Sequence, residues 1–440
     1  MAERVSPVWV WLPGQVEPVL AARLHTGGGG ARWHYEAAYL RRPDAVACDP
    51  ETLRLPRAST SPVPRPIHVL ESGGLPGVVF DAAPQGWGAD RLQARAGREL
   101  GTLDLLEEGP ADTVGALEVC EDIERKLAWK PLPMESVRES LRLLDDDAPA
   151  SRAVRHALGD ASTSAGGERP KVTVEHEGSL YLAKVQARVD TPYLPHKEMV
   201  TMSLAGESQI TIPRLHLDVV GSNAVFLIER FDRRGDPQRP QRRLFASAHT
   251  VLRLDRASVS GDPKRSYLHL ADRMRTWCRG GAHLGSDLAE LWRRMAFNAL
   301  VGNMDDHPRN HGLIHDGTTW RLSPAFDITP ARQYAGALSM NTGPDGRATV
   351  TVARMIECCA HFGVTAEEAG AWLMETANRV VAGFEMRLTA LGVPKEEIAQ
   401  TLPATSFAQE VVHRPDAVEV AMEASQKRSR RRRPASAIRR

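Results

Sequence analysis

The chain has 440 residues, too many for one hydrophobic core and enough for two or three domains. With 42% hydrophobic residues, 25% charged residues and a net charge of +1, it has the composition of a folded globular protein and not of a disordered or uniformly basic one. No window approaches the roughly 18 consecutive apolar residues of a membrane span, and "MAERVSPVW" lacks the order of a signal peptide, so a cytoplasmic protein with no membrane partner is expected.

The first hundred residues are rich in Pro and Gly and carry short β-prone pieces, "VWVWL" and "GLPGVVFD", which predict a small β-rich domain. "TGGGG" from Thr26 to Gly30 has no following Lys and reads as a hairpin tip, not a phosphate loop. Cys48, Cys120, Cys278, Cys358 and Cys359 are odd in number and form no C-x-x-C pair, which argues against structural disulfides and zinc.

From Lys171, "KVTVEHEGSLYLAKVQ" alternates apolar and polar residues about Glu177-Gly178 and predicts a hairpin; "NAVFLIERFD" (Asn223 to Asp232) predicts a more buried strand. Between them "PHKEMVTMSLAGE" predicts a helix carrying Glu198. After Asp255 helical signals dominate. Ser286 is the expected N-cap of "DLAELWRRMAFNALVGN", in which Leu288, Leu291, Met295, Ala299 and Leu300 recur at helical spacing. Thr365 and Glu368 form a capping box for a long helix that Gly392 and Pro394 should end. The last stretch, "KRSRRRRPASAIRR" from Lys427, holds eight basic residues and no acid; without it the chain carries −7. It reads as a solvated tail, with binding to a polyanion as the alternative.

The segment Val301 to Pro330, "VGNMDDHPRNHGLIHDGTTWRLSPAFDITP", crowds acids where helix and strand are apolar. Neighbouring carboxylates repel and resist burial, so a cation is expected among them. Phosphoryl transfer needs a carboxylate near the attacking hydroxyl and oxygen ligands that hold magnesium against phosphates. Asp305 and Asn310 have the D-x-x-x-x-N spacing of a kinase catalytic loop, which makes Asp305 the candidate base and Asn310 and Asp327 the candidate metal ligands. Asp306 is the poorer candidate for the base; it was also a possible ion-pair partner for Arg309. Upstream stand a Gly-rich stretch "SAGGERPK", a strand-borne Lys184, a helical Glu198 able to orient it, and Glu229-Arg230-Phe231 at a strand end, in the order a kinase uses them.

"FNALVGNMDDHPRNHGLI…WRLSPAFDITP", with "FLIERFDR" and "SAGGERPK" before it, closely resembles the HipA-type serine/threonine kinases, toxins of bacterial toxin–antitoxin modules. The likeness is strong from about Ser164 to Pro330 and weaker to about Gly392, while "VWVWLPG" and "PQGWGADRL" resemble that family's small N-terminal domain. The resemblance implies an α+β, two-lobed protein-kinase-like fold: an accessory domain (1–125), a sheet-rich lobe (126–250), a helical lobe (251–424) and a basic, disordered tail (425–440).

It also implies that Gly166, Gly167, Glu168, Arg169, Pro170 and Lys171 form the phosphate-side loop, with Lys184 binding phosphate. Glu229, Arg230 and Phe231 would be the hinge whose backbone meets adenine, and His307, Pro308, Arg309, Asn310, Phe326 and Asp327 would line ATP and Mg2+. Ser164 aligns with a serine whose autophosphorylation shuts such kinases off. The implied partners are a protein substrate such as an aminoacyl-tRNA synthetase, a HipB-like helix-turn-helix antitoxin, and operator DNA reached through the antitoxin or the basic tail. Two rival readings stand beside this one. One is a catalytically weak kinase-like regulator, argued from Glu168 in the phosphate-side loop; the other is a metal-dependent phosphohydrolase using His307, His311 and His315 with Asp305 and Asp306.

Overall fold

The computed structural model describes residues 3–28, 30–56, 65–71, 74–142, 171–186, 190–221, 223–332 and 335–432. Ser164 and Gly166 to Pro170 lie outside them.

The N-terminal part is an antiparallel sheet of order β4-β3-β2-β1-β5, built from β1 (Arg4–Trp11), β2 (Pro18–Thr26), β3 (Ala31–Tyr35), β4 (Ile67–Val69) and β5 (Leu117–Val119). Alternation along β1 buries Val8 and Val10 against Leu24 and Trp33 on the same core. "TGGGG" joins β2 to β3, as a hairpin tip should. "GLPGVVFD" departs from expectation: Gly77–Ala82 is a short helix, with Val78, Val79 and Ala82 buried. Val78 and Val79 stand four and three residues before Ala82, a spacing that puts all three on one helical face, and burial of that face overrides the β preference of the valines.

The second sheet has the order β6-β7-β8-β10-β9, from β6 (Leu132–Pro133), β7 (Lys171–His176), β8 (Ser179–Val185), β9 (Leu215–Val220) and β10 (Asn223–Glu229). The expected hairpin is β7–β8. Its turn residues Glu177 and Gly178 both have positive φ, 49° and 73°, the two-residue turn whose twist matches antiparallel strands. The Leu194–Glu207 helix covers this sheet, packing on β9 and β10.

A small sheet of β13 (Phe245–Ser247), β14 (Gly312–His315) and β15 (Trp320–Leu322) opens the helical lobe. The Leu284–Leu300 helix buries Leu291, Met295, Ala299 and Leu300, the predicted stripe. It begins two residues before Ser286, whose hydroxyl bonds back to His283 O (2.8 Å) within the first turn and does not cap it. Gly302 ends this helix with φ 59°; a Cβ there would lie 2.5 Å from Ala404 O, so no larger residue fits the close approach. The capping box of Thr365 and Glu368 is formed and starts the Ala366–Ala390 helix, with Gly392 at φ 78° beyond its end. The final helix, Pro415–Arg432, runs through the start of the basic stretch expected to be disordered. Among the described residues no helix is long and apolar enough to cross a membrane.

The two sheets are joined by buried charge. The Arg230 guanidinium bonds Asp232 (3.1 and 2.9 Å), Asp112 and Thr173 Oγ1 (3.0 Å); Arg233 bonds Asp232 (2.8 Å) and the Gly115 carbonyl (2.7 Å). Gly115 N–H returns to Asp232 (2.7 Å). Close by, Glu118 joins Arg242 (3.0 Å) and Lys126 (3.2 Å). Burial alone would raise the Asp232 pKa, but Arg230 and then Arg233 outweigh it and hold the carboxyl far below the usual range. Removing one member of such a set leaves buried charge uncompensated. Asp232→Ala should therefore cost about 3–5 kcal/mol of stability, read as a lower urea midpoint, whereas Asp104→Ala, at a partly exposed pair with Arg4, should cost no more than about 1 kcal/mol.

Candidate active site

Two loops that leave the small sheet carry the acidic residues. One runs from the end of the Leu284–Leu300 helix into β14, the other follows β15, and the antiparallel β14–β15 pairing sets them side by side. Asp327 has φ 60°, a left-handed conformation that Asp tolerates better than bulky residues, and this turns its carboxylate toward the second sheet.

There it meets Lys184. The ammonium lies 2.5 Å from Glu198 Oε1 and 2.8 Å from Asp327 Oδ1, so one side chain on β8 ties the covering helix to the Asp327 loop. Lys184 and Glu198 are 8% and 2% exposed, which rules out a snorkelling edge lysine and a solvated glutamate. Burial works against the ammonium, yet Asp327 and Glu198 outweigh it and raise the pKa well above that of an ordinary lysine. Lys171, buried at the start of β7, stands directly opposite Lys184 in the antiparallel register. Cross-strand neighbours share a face, so the two lysines stand on the same side of the sheet.

The Asp305 loop is closed by Asn310, whose Nδ2 donates to Asp305 O (2.7 Å). That bond engages the amide nitrogen and leaves the amide oxygen as the group's acceptor. Pro308–Asn310 forms one 3-10 turn capped by His307, whose Nδ1 accepts from Arg309 N–H (3.3 Å). The Asp305 carboxylate is 65% exposed, with His307 Nε2 at 3.6 Å. A narrow cleft lined by Asn303, Asn310, Phe326 and Asp327 joins the two loops. Phe326 stacks on Phe231 at a centroid distance of 5.5 Å, linking the strand-end segment to the Asp327 loop.

With this geometry in place, the chain can be set beside known proteins. The HipA-like C-terminal domain family matches residues 163–384, half of the chain. The chain belongs to the HipA-like family. Over 100 residues it is 32% identical to a Sinorhizobium fredii (strain NBRC 101917 / NGR234) protein named "Putative kinase Y4dM", a stretch of 22% of this chain and 24% of that protein, so it spans about a quarter of that relative's length. The HipA of Shewanella oneidensis MR-1, solved with HipB and operator DNA, superposes with a TM-score of 0.65 at 15% identity, covering 95% of this chain and 99% of that one. A second solved kinase, Helicobacter pylori CtkA, matches at a TM-score of 0.42 and 11% identity over 60% of this chain and 93% of its own. The fold is therefore α+β and kinase-like, with sheet-rich and helical regions.

Within this HipA-like chain, Glu229 and Arg230 are tied into the fold. Glu229 N–H bonds Arg214 O (2.9 Å) and Arg230 N–H bonds Leu180 O (2.8 Å), so those two hinge amides serve the sheet. The Glu229 carboxylate pairs with Arg214 (2.7 Å), and the Arg230 side chain belongs to the buried network with Asp112 and Asp232. Phe231 alone of the three turns toward Asp327's loop. The ion pair between Arg309 and Asp306 does not form. Asp306 is fully buried and accepts from Tyr267 OH (2.7 Å) and Ser339 N–H (2.5 Å).

The metal-histidine reading fails on geometry. His307 caps a 3-10 turn, while His311 and His315 flank and end β14, so the three do not line a helix. His311 is buried 3.2 Å from Tyr267 OH, and burial lowers its pKa to about 3. Among the described residues no group of three His, Cys, Asp or Glu is placed to hold a metal ion.

Tyr267, Asn298 and Asn303 were missed from sequence. Asn298 donates to Tyr267 OH (3.0 Å), Asn303 Nδ2 donates to Asn298 Oδ1 (3.1 Å), and Asn303 Oδ1 accepts from Asp305 N–H (3.3 Å). One signal was available: Asn298 falls on the apolar stripe, three residues after Met295 and seven after Leu291, where an amide must find a partner.

Burial raises the Asp306 pKa to about 6, against the opposing effect of Tyr267 OH and backbone N–H groups. The folded-state value lies above the unfolded one, so the stability linked to this proton is present below about pH 4 and is lost as pH rises through about 6. Asp306→Asn removes the titration. The melting temperature of the variant relative to the parent should rise between about pH 4 and pH 7; a difference constant across that range would contradict the assignment.

Proposed function

We propose that the protein is a serine/threonine protein kinase that transfers the γ-phosphoryl group of ATP to a hydroxyl of a protein target. The observation that carries this reading is Lys184 bridging Glu198 and Asp327 in a buried position between the lobes. That geometry has an electrostatic use: Lys184 and Lys171 offer positive charge to phosphates, while Glu198 fixes the direction of the Lys184 ammonium. Asp305, on an exposed loop pinned by Asn310, is available to accept the proton of the attacking hydroxyl.

The donor set fits magnesium, a hard cation that favours oxygen ligands and needs few protein groups when phosphates and waters supply the rest. Asn310 and Asp327 would hold it, and when bound it offsets the charge of the phosphate oxygens. The HipA-like resemblance extends the proposal to Gly166 to Lys171 as the phosphate-side loop and to Ser164 as a self-phosphorylated, inactivating position. A phosphate there would add about −1.5 to −2 charge beside the ATP phosphates. By the same resemblance, and by likeness to a HipA solved with HipB and operator DNA, the protein acts as a toxin neutralised by a HipB-like antitoxin, with a translation component such as an aminoacyl-tRNA synthetase as its target.

Labelled ATP and a cell extract test the reading. Asp305→Asn should lower incorporation by at least about 100-fold, and Asp327→Asn and Lys184→Met should weaken binding of a fluorescent ATP analogue as well. Equal labelling by the parent and all three variants would remove the assignment.

A further inference from the structure

Arg309 sits in the Asp305 loop, yet it lines a second, larger pocket. This pocket of about 340 Å³ lies between the Gly77–Ala82 helix with its following turn and the segment from His249 to Arg256. That volume is at the small end of ligand sites, roughly 300–1,000 Å³. Its walls are fixed: the Asp81 carboxylate accepts from Ser247 N–H (2.7 Å) and Ser247 Oγ (2.6 Å), and a Cβ on Gly77 would lie 2.6 Å from Thr250.

The charges of the lining are unequal. Arg253, Arg256 and Arg309 face Glu71, with His249 kept neutral by burial and by Arg309, its pKa lowered to about 4. Arg253 is offset by Glu51 at 3.3 Å. Arg256 bonds Thr102 Oγ1 (2.9 Å) and lies 3.3 Å over the Phe80 ring, contacts that orient a guanidinium without neutralising it. Among the described residues neither Arg256 nor Arg309 makes a side-chain ion pair, although the buried Asp81 carboxylate feels the Arg309 charge, and burial followed by Arg309 disfavours the charge of Arg256. An anion between them would relieve that repulsion. Arg309 is four residues from Asp305 on a loop closed at 2.7 Å, so the pocket and Asp305 share one short loop.

We propose that this pocket receives an anionic side chain, carboxylate or phosphoryl, carried by the protein segment that presents its hydroxyl to Asp305. The inference rests on the kinase reading for the role of Asp305, and it names the substrate class: a serine or threonine with an acidic or already phosphorylated residue a few positions away. The pocket then acts as a specificity site beside the transfer site, and Arg309 joins the two.

Direct binding tests it without any phosphotransfer. Full-length protein is titrated against fluorescein-labelled peptides of one sequence in which residues near a central Ser are Gln, Glu or phosphoserine, followed by fluorescence polarisation. The Glu peptide should bind at least about fivefold more tightly than the Gln peptide at low salt, the scale of one partly exposed ion pair. Arg256→Gln should abolish that preference and Arg256→Lys should restore part of it. Tighter binding of the phosphoserine peptide would assign a phosphoryl ligand, and equal binding to the Glu peptide a carboxylate; both support the pocket's role. Equal binding of Glu and Gln peptides, or a preference that survives Arg256→Gln, would overturn it. So would a single-stranded oligonucleotide whose binding alone depends on Arg256. If Asp327→Asn loses the ATP analogue but keeps the peptide preference, the pocket stands independently of the nucleotide site; if the parent binds no nucleotide, the kinase reading fails while this binding result stands on its own.

Discussion

A single ammonium between two carboxylates is the constraint on which the site depends. Lys184 leaves a strand of the sheet-rich lobe, Glu198 the helix that covers it, and Asp327 a loop of the helical lobe. A buried lysine is costly unless countered, and the carboxylates are costly unless countered, so each group justifies the burial of the others. The left-handed backbone at Asp327 and the stacking of Phe231 on Phe326 serve this meeting. Displacing any of the three would leave charge in a poorly solvated cleft.

Asp305 and Asp306 show how adjacent carboxylates come to differ. Asp305 faces solvent on a loop held by Asn303 and Asn310, whereas Asp306 turns inward to Tyr267 and the Ser339 amide. The inward residue braces the loop so that the outward one keeps a fixed position. Two neighbours of the same chemical type thus divide into a support and a candidate base, and burial alone separates them.

Much of this was legible beforehand where local pattern and long-range order agreed. The β7–β8 hairpin announced itself through alternation about Glu177-Gly178, the Ala366–Ala390 helix through its capping box, and the meeting of Lys184, Glu198 and Asp327 through their order in the chain. Local pattern misled where a short apolar run fitted two periods, as in Gly77–Ala82, and where a good capping residue lay inside the first turn, as at Ser286. Contacts between distant residues were not legible at all. Nothing near Arg230 in sequence indicates that Asp112, 118 residues earlier, would claim its side chain.

That claim bears on motion. Arg230 and Arg233 stand just after β10, at the seam between the lobes, and their guanidiniums are locked into the residue 112–115 turn of the N-terminal sheet. The N-terminal sheet is therefore anchored on two sides: to the sheet-rich lobe by buried charge, and to the small sheet of the helical lobe by Asp81 and Ser247. A widening of the cleft over Asp327 would have to strain one of those two anchors, which makes the N-terminal sheet a clasp across the lobes.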